Sequence, residues 1–121
     1  MTLLTEGQHA GEFLVSEATG TRARAAVTVV AASDLAPGTV LGMVTNTGVY
    51  TAFNPDAQTG EQTAKAILWA ACEANSAGVA AAAIVRDAEV NGAELVWPED
   101  LEAGEQTAAL AQLAAVGIIV R

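Results

Sequence analysis

Pro37-Gly38-Thr39-Val40-Leu41-Gly42, running on through Met43-Val44-Thr45-Asn46-Thr47-Gly48 to Val49-Tyr50-Thr51-Ala52-Phe53, is the stretch that decides the fold class. Pro37 fixes φ at the first centre position of a type II turn, and Gly38 accepts the positive φ of the second. Thr39 to Thr45 reads as a strand, Asn46-Thr47-Gly48 as a tight reversal, and Val49 to Phe53 as the returning strand. Upstream, Phe13-Leu14-Val15 is a short strand-like run, and Ala25 to Val30 is a β-branched strand introduced by Gly20. Downstream, Asn54 to Gly60 is loop. Over residues 61–83 alanine favours helix on propensity, as in Thr63 to Ala71. Asn75, Ser76 and Gly78 break that run, Val79 to Val85 ends in β-branched residues, and two strands fit the rest of the chain better. Leu95-Val96-Trp97 reads as a further strand, stopped by Pro98.

One helix stands out, over about residues 103–116, with Leu110, Leu113, Ala114 and Gly117 spaced to bury one side. Glu99, Asp100, Glu102 and Glu105 gather at its N-terminal end, where the macrodipole favours negative charge, and Gly117 suits the C′ position. Ile118-Ile119-Val120 closes the chain as a strand. Residues 1–12 are mixed and polar, with no apolar period, and read as an extended N-terminal arm on a single domain of residues 13–121. The expected fold is a small, mostly β domain with one C-terminal helix.

The composition narrows the function. Fourteen acidic against five basic side chains in 121 residues give a formal charge of -9, which argues against nucleic-acid binding, since phosphate contacts need clustered Lys and Arg. Apolar residues make up 52%, so an acidic disordered segment is also a poor description. Much of that share is alanine and valine, and aromatics are only 4%. A core of small side chains buries little area each, at about 25 cal/mol per Å², and such chains gain stability by assembling. Cys72, the sole cysteine, reads as a small buried apolar residue. The N-terminus shows no basic region followed by an apolar one, and Val79 to Val85 is too short to span a bilayer. The chain reads as a soluble protein made in the cytoplasm, without a membrane partner.

Catalytic equipment is sparse. His9, the single histidine, lies in the polar arm and reads as solvated. No phosphate-cradling glycine loop, nucleophile elbow or metal-ligand spacing occurs. Asp87 and Glu89, two apart, would share one face of a strand with Arg86 on the other, an acid/base pair in principle and a solvated edge or inter-subunit ion pair otherwise. Trp69 and Trp97 read as core or subunit-interface anchors, as do Tyr50 and Phe53. The expectation is a non-enzyme without cofactor or metal.

Several segments together resemble the lambda-type bacteriophage head decoration proteins: Gly11 to Glu17, Val27-Thr28-Val29, Pro37 to Gly42 and Ala64 to Leu68. Ile84-Val85-Arg86-Asp87-Ala88-Glu89-Val90, Leu95-Val96-Trp97-Pro98 and Gly117 to Arg121 are the strongest pieces. They run in order over nearly the whole chain; each alone is unspecific, and the combination at this length is specific. The resemblance implies a β-clip domain that sits as homotrimers at local threefold positions outside the expanded head. There it would bind the major capsid protein as a cement against the pressure of packaged DNA, with no catalysis and no cofactor. It also implies an arm that adds a strand to a capsid-protein edge, placing Thr2, Leu3, Leu4, Thr5, Glu6, Gly7, Gln8, His9 and Phe13 at the capsid. Arg22 and Arg24, beside the arm, are candidates for the capsid-facing side, and Trp69, Arg86 and Trp97 for the subunit interface or core. The chain departs from the family at Ala23-Arg24-Ala25, where only Arg24 carries over. It departs again at Glu102, a weaker helix cap than the family's Thr or Ser. Competing readings are a tail or neck adaptor, or a β-rich accessory or ligand-binding domain.

Overall fold

The computed structural model describes residues 10–17 and 23–121. The expected turn opens the barrel: Thr39 N–H donates to Ala36 O at 3.2 Å across Pro37-Gly38, with Gly38 at φ 89°. Gly38 is fixed from both sides, its N–H on Leu68 O and its carbonyl receiving Val96 N–H, each at 2.9 Å. A Cβ there would lie 2.6 Å from Glu94 O, so the position excludes any side chain.

From that turn β3 (Val40–Met43) pairs antiparallel with β4 (Tyr50–Ala52) and β5 (Ala64–Leu68). β5 continues into β6 (Asn75–Ile84), which runs antiparallel to β2 (Arg24–Ala31) from Arg24↔Ile84 to Ala31↔Asn75. A single parallel pair, Val29↔Tyr50, joins β2 to β4 and closes a five-stranded barrel in the order β2-β4-β3-β5-β6. β1 (Leu14–Glu17), β7 (Ala88–Val90) and β8 (Ile118–Val120) form a separate three-stranded sheet, antiparallel on one side of β7 and parallel on the other. α1 (Ala103–Ala115) packs against β5 and β8.

Period two explains why β5 is buried almost throughout. Ala66 and Leu68 point into the barrel with Val29, Leu41, Cys72 and Ala83, whereas Ile67 points out of it. Ile67 joins Phe13, Val40, Ile84, Val90, Leu113 and Ile118 in a second core, held between the barrel wall, the small sheet and the helix. Cys72 is buried in the barrel, as its composition suggested.

The mostly β architecture with one C-terminal helix agrees with the sequence, and the two strands read from residues 61–83 are β5 and β6. Three local readings change. Asn75, Ser76 and Gly78, read as a break in the alanine-rich run, lie inside β6, where Asn75 Oδ1 accepts Gly78 N–H at 2.8 Å. Leu95-Val96-Trp97 is not a strand, because its pairing is confined to the one bridge Thr39↔Val96. Preceding it is a 3-10 turn, Gly92–Glu94, capped by Asn91. The weak cap expected at Glu102 is compensated, since Glu102 N–H donates to Glu105 Oε1 at 3.1 Å. At the other end Gly117 occupies C′, its N–H donating to Ala114 O at 3.0 Å.

Candidate functional site

The residues expected in the arm meet the domain at Gly11. Its N–H donates to Trp69 O at 2.9 Å and its carbonyl accepts Leu14 N–H at 3.0 Å. The backbone approaches so closely that a Cβ on Gly11 would lie 2.3 Å from Trp69 Cη2. Trp69 is itself set by the barrel, its N–H donating to Ala82 O at 3.0 Å. Phe13 meets Trp69 edge-on, with centroids 6.0 Å apart and planes at 75°.

Arg24, the first residue of β2, lies over the Trp69 ring, its guanidinium carbon 3.8 Å from the centroid. Its two arms donate to the Glu17 carboxylate at 3.0 and 2.6 Å, a fork that a lysine could not reproduce. The Glu17 hydrogen bond raises the Arg24 pKa above its already high ordinary value, so the cation is permanent. Gly11, Phe13, Glu17, Arg24 and Trp69 thus tie β1 and the turn before it to the barrel wall. A shallow depression of about 370 Å³ beside Arg24 is lined by Ala25, Ala26, Ala80, Ala81 and Ala82.

Phe13 was expected as an apolar anchor of the capsid-binding arm. Instead it is 1% exposed and belongs to the second core, because the turn at residues 10–13 folds it inward. Thr2, Leu3, Leu4, Thr5, Glu6, Gly7, Gln8, His9 and Arg22 lie outside the described residues. Trp69 and Trp97 are half-buried against the second core, and Arg86 is exposed between β6 and β7. Trp97 meets Phe53 edge-on at 6.2 Å, on the wall of a cleft of about 430 Å³ that Asp34 and Glu99 also line.

The acid/base idea for Asp87 and Glu89 does not survive. Asp87 sits before β7 with φ 49°, off the strand, so the two carboxylates do not share a strand face. Glu89 accepts a hydrogen bond from Arg121 at 2.8 Å, which holds its carboxyl below the ordinary glutamate range and keeps it ionised. A general acid needs the opposite shift. Among the described residues, no group of three or more His, Cys, Asp or Glu is arranged to hold a metal, and no helix is long and apolar enough to cross a membrane.

Sequence reasoning missed two features of this surface. Glu17 gives no periodic hint that it partners Arg24. Val15 and Ile119, 55% and 41% exposed on the outer strands of the small sheet, look like core residues by type alone.

The resemblance drawn from the segments is supported by comparison with known families. No curated protein matches the chain. Residues 3–118 match the family described as bacteriophage lambda head decoration protein D. The match takes in the barrel, β1 and β7 of the small sheet, the helix and the Gly11–Trp69 junction, and the chain belongs to the bacteriophage lambda head decoration protein D family.

Proposed function

We propose that the protein binds as homotrimers to the outside of the expanded phage head, at local threefold positions, and cements neighbouring major capsid proteins against the pressure of packaged DNA. The observation that carries this reading is the family match over residues 3–118, which supports a capsid-decoration role. Catalysis plays no part in it. Residues before Gly11 act as the attachment arm and add a strand to a capsid-protein edge, where main-chain hydrogen bonds give affinity tolerant of sequence.

Energetics favour the trimer in this scheme. Ordering nine or ten residues costs on the order of 1–2 kcal/mol each in backbone entropy, so one arm binds weakly. Linking three arms raises the affinity by about 10²–10⁴ without new contacts. The junction at Gly11 and Trp69 supports the scheme because it gives the arm a fixed point of departure, so less freedom remains to be lost on binding. Arg24, with Arg22, belongs to the capsid-facing side, where the charge of -9 otherwise has to be matched by basic capsid residues.

The test is to mix the protein with expanded, undecorated heads and to follow binding by sedimentation and cryo-electron microscopy, alongside a variant lacking residues 1–9. Trimeric density at the local threefold positions is expected for the full chain, with attachment lost by the shortened chain while it stays folded. Full occupancy by the shortened chain would overturn the role of the arm, and no binding of the full chain to intact expanded heads would overturn the decoration reading.

A further inference from the structure

Asn91-Gly92 is the single Asn-Gly step in the sequence; the other asparagines are followed by Thr47, Pro55 and Ser76. Before glycine, an asparagine is chemically vulnerable, because no side chain hinders the next backbone nitrogen from attacking its Cγ. In that reaction the Gly92 N–Asn91 Cγ bond forms and the Cγ–Nδ2 bond breaks. Ammonia leaves, taking up the Gly92 proton, and a five-membered imide remains. Water then opens the imide at one carbonyl or the other, giving aspartate with a normal peptide bond or an isoaspartyl link that lengthens the main chain by one carbon. No oxidant or other reactant is needed. Asn91 is exposed, so neither water nor base is kept from it.

The local structure nevertheless opposes ring closure in three ways. Asn91 has ψ 113°, which turns the Gly92 nitrogen well away from the side chain it must attack. The Asn91 Oδ1 accepts Ala93 N–H at 3.0 Å, holding the side-chain amide as the cap of the 3-10 turn. The Gly92 N–H, which must be lost, donates to Arg121 O at 3.1 Å. Gly92 is also backed by β8: a Cβ there would lie 2.9 Å from Val120 Cγ1.

We infer that Asn91-Gly92 is a latent deamidation site, closed by the docking of β8 and Arg121 onto β7 and open to the imide reaction when that edge lifts. Arg121 is the latch. Its N–H donates to Val90 O at 2.8 Å, its guanidinium to Glu89 at 2.8 Å, and its carbonyl covers Gly92. Such a short parallel edge is the kind of element that opens below the global unfolding free energy. The damage is irreversible and falls on the corner between β7 and Leu95–Trp97, where Val96 supports both Gly38 and Val40.

The experiment incubates the full chain at mildly alkaline pH, folded in buffer and unfolded in guanidinium. Peptide mapping by mass spectrometry then quantifies Asn, Asp and isoaspartate at position 91. A folded-state rate at least about tenfold below the unfolded-state rate is expected for a site guarded by local structure, and any smaller ratio overturns the proposal. Arg121→Pro, which removes the N–H to Val90 and is checked for folding by its thermal midpoint, tests the latch separately. A folded-state rate raised at least about threefold supports it, and a smaller rise overturns the assignment to Arg121.

Discussion

Besides the packing of Ala109 and Leu113 in the second core, one polar side chain ties the helix to the barrel. Gln112, in the last turn of α1, accepts Ala64 N–H at 2.8 Å, and Ala64 is fully buried at the start of β5. Removing the acceptor leaves a buried backbone donor unsatisfied, which costs about 1–3 kcal/mol. Alanine is the better helix former by a few tenths of a kcal/mol, so Gln112→Ala is expected to lower the unfolding free energy by about 1–2.5 kcal/mol. At this chain length that corresponds to a fall of about 3–10 °C in Tm. Gln112→Glu keeps an acceptor at the same place and makes the bond charge-assisted, against about 0.3–1 kcal/mol for a negative charge near a helix C-terminus. The glutamate variant therefore lies above the alanine variant in stability. Urea unfolding followed by circular dichroism measures both. A loss below about 0.5 kcal/mol for Gln112→Ala, or a glutamate variant no better than alanine, would refute the reasoning.

Two further outcomes follow from positions already described. Gly38→Ala places a methyl 2.6 Å from Glu94 O at φ 89°, and a loss of about 2 kcal/mol or more is expected in chemical denaturation; a variant as stable as the parent would show that the turn relaxes freely. For Glu89, held below the ordinary glutamate range by Arg121, the pair contributes stability above that range and loses it as pH falls through the lowered folded value. Glu89→Gln is thus expected to melt slightly below the parent at neutral pH, with the gap closing in acid; a gap of constant size from neutral to strongly acid pH would rule the linkage out.

Where a sequence feature acts locally, it was legible. Pro37-Gly38 announced its turn because φ preferences are properties of the residues themselves, and the acidic helix start and Gly117 announced α1 for the same reason. The family resemblance rested on such local pieces taken in order. Features that depend on distant partners were not legible. Leu95-Val96-Trp97 has strand composition, but Gly38 and Val40 leave it room for one bridge only. β6 reads as broken at Asn75 and Gly78, yet the long pairing with β2 overrides the weak propensity of both. The closure of the barrel through Val29↔Tyr50 has no local signal at all. Phe13 looked like a free anchor because nothing near it in sequence hints that Trp69 and the second core receive it.

β2 and β6 pair with each other along nearly their whole length, but β4 meets β2 at Val29 alone and β5 with Trp69 meets β6 only from Ala82 to Ile84, so the barrel closes through short contacts and leaves part of each long strand's other edge uncovered. The strands left outside the barrel are three and four residues long, too short to template a growing sheet. In a chain so rich in alanine and valine, the charge of -9 then carries much of the restraint on edge-to-edge association, and added salt that screens it weakens that restraint.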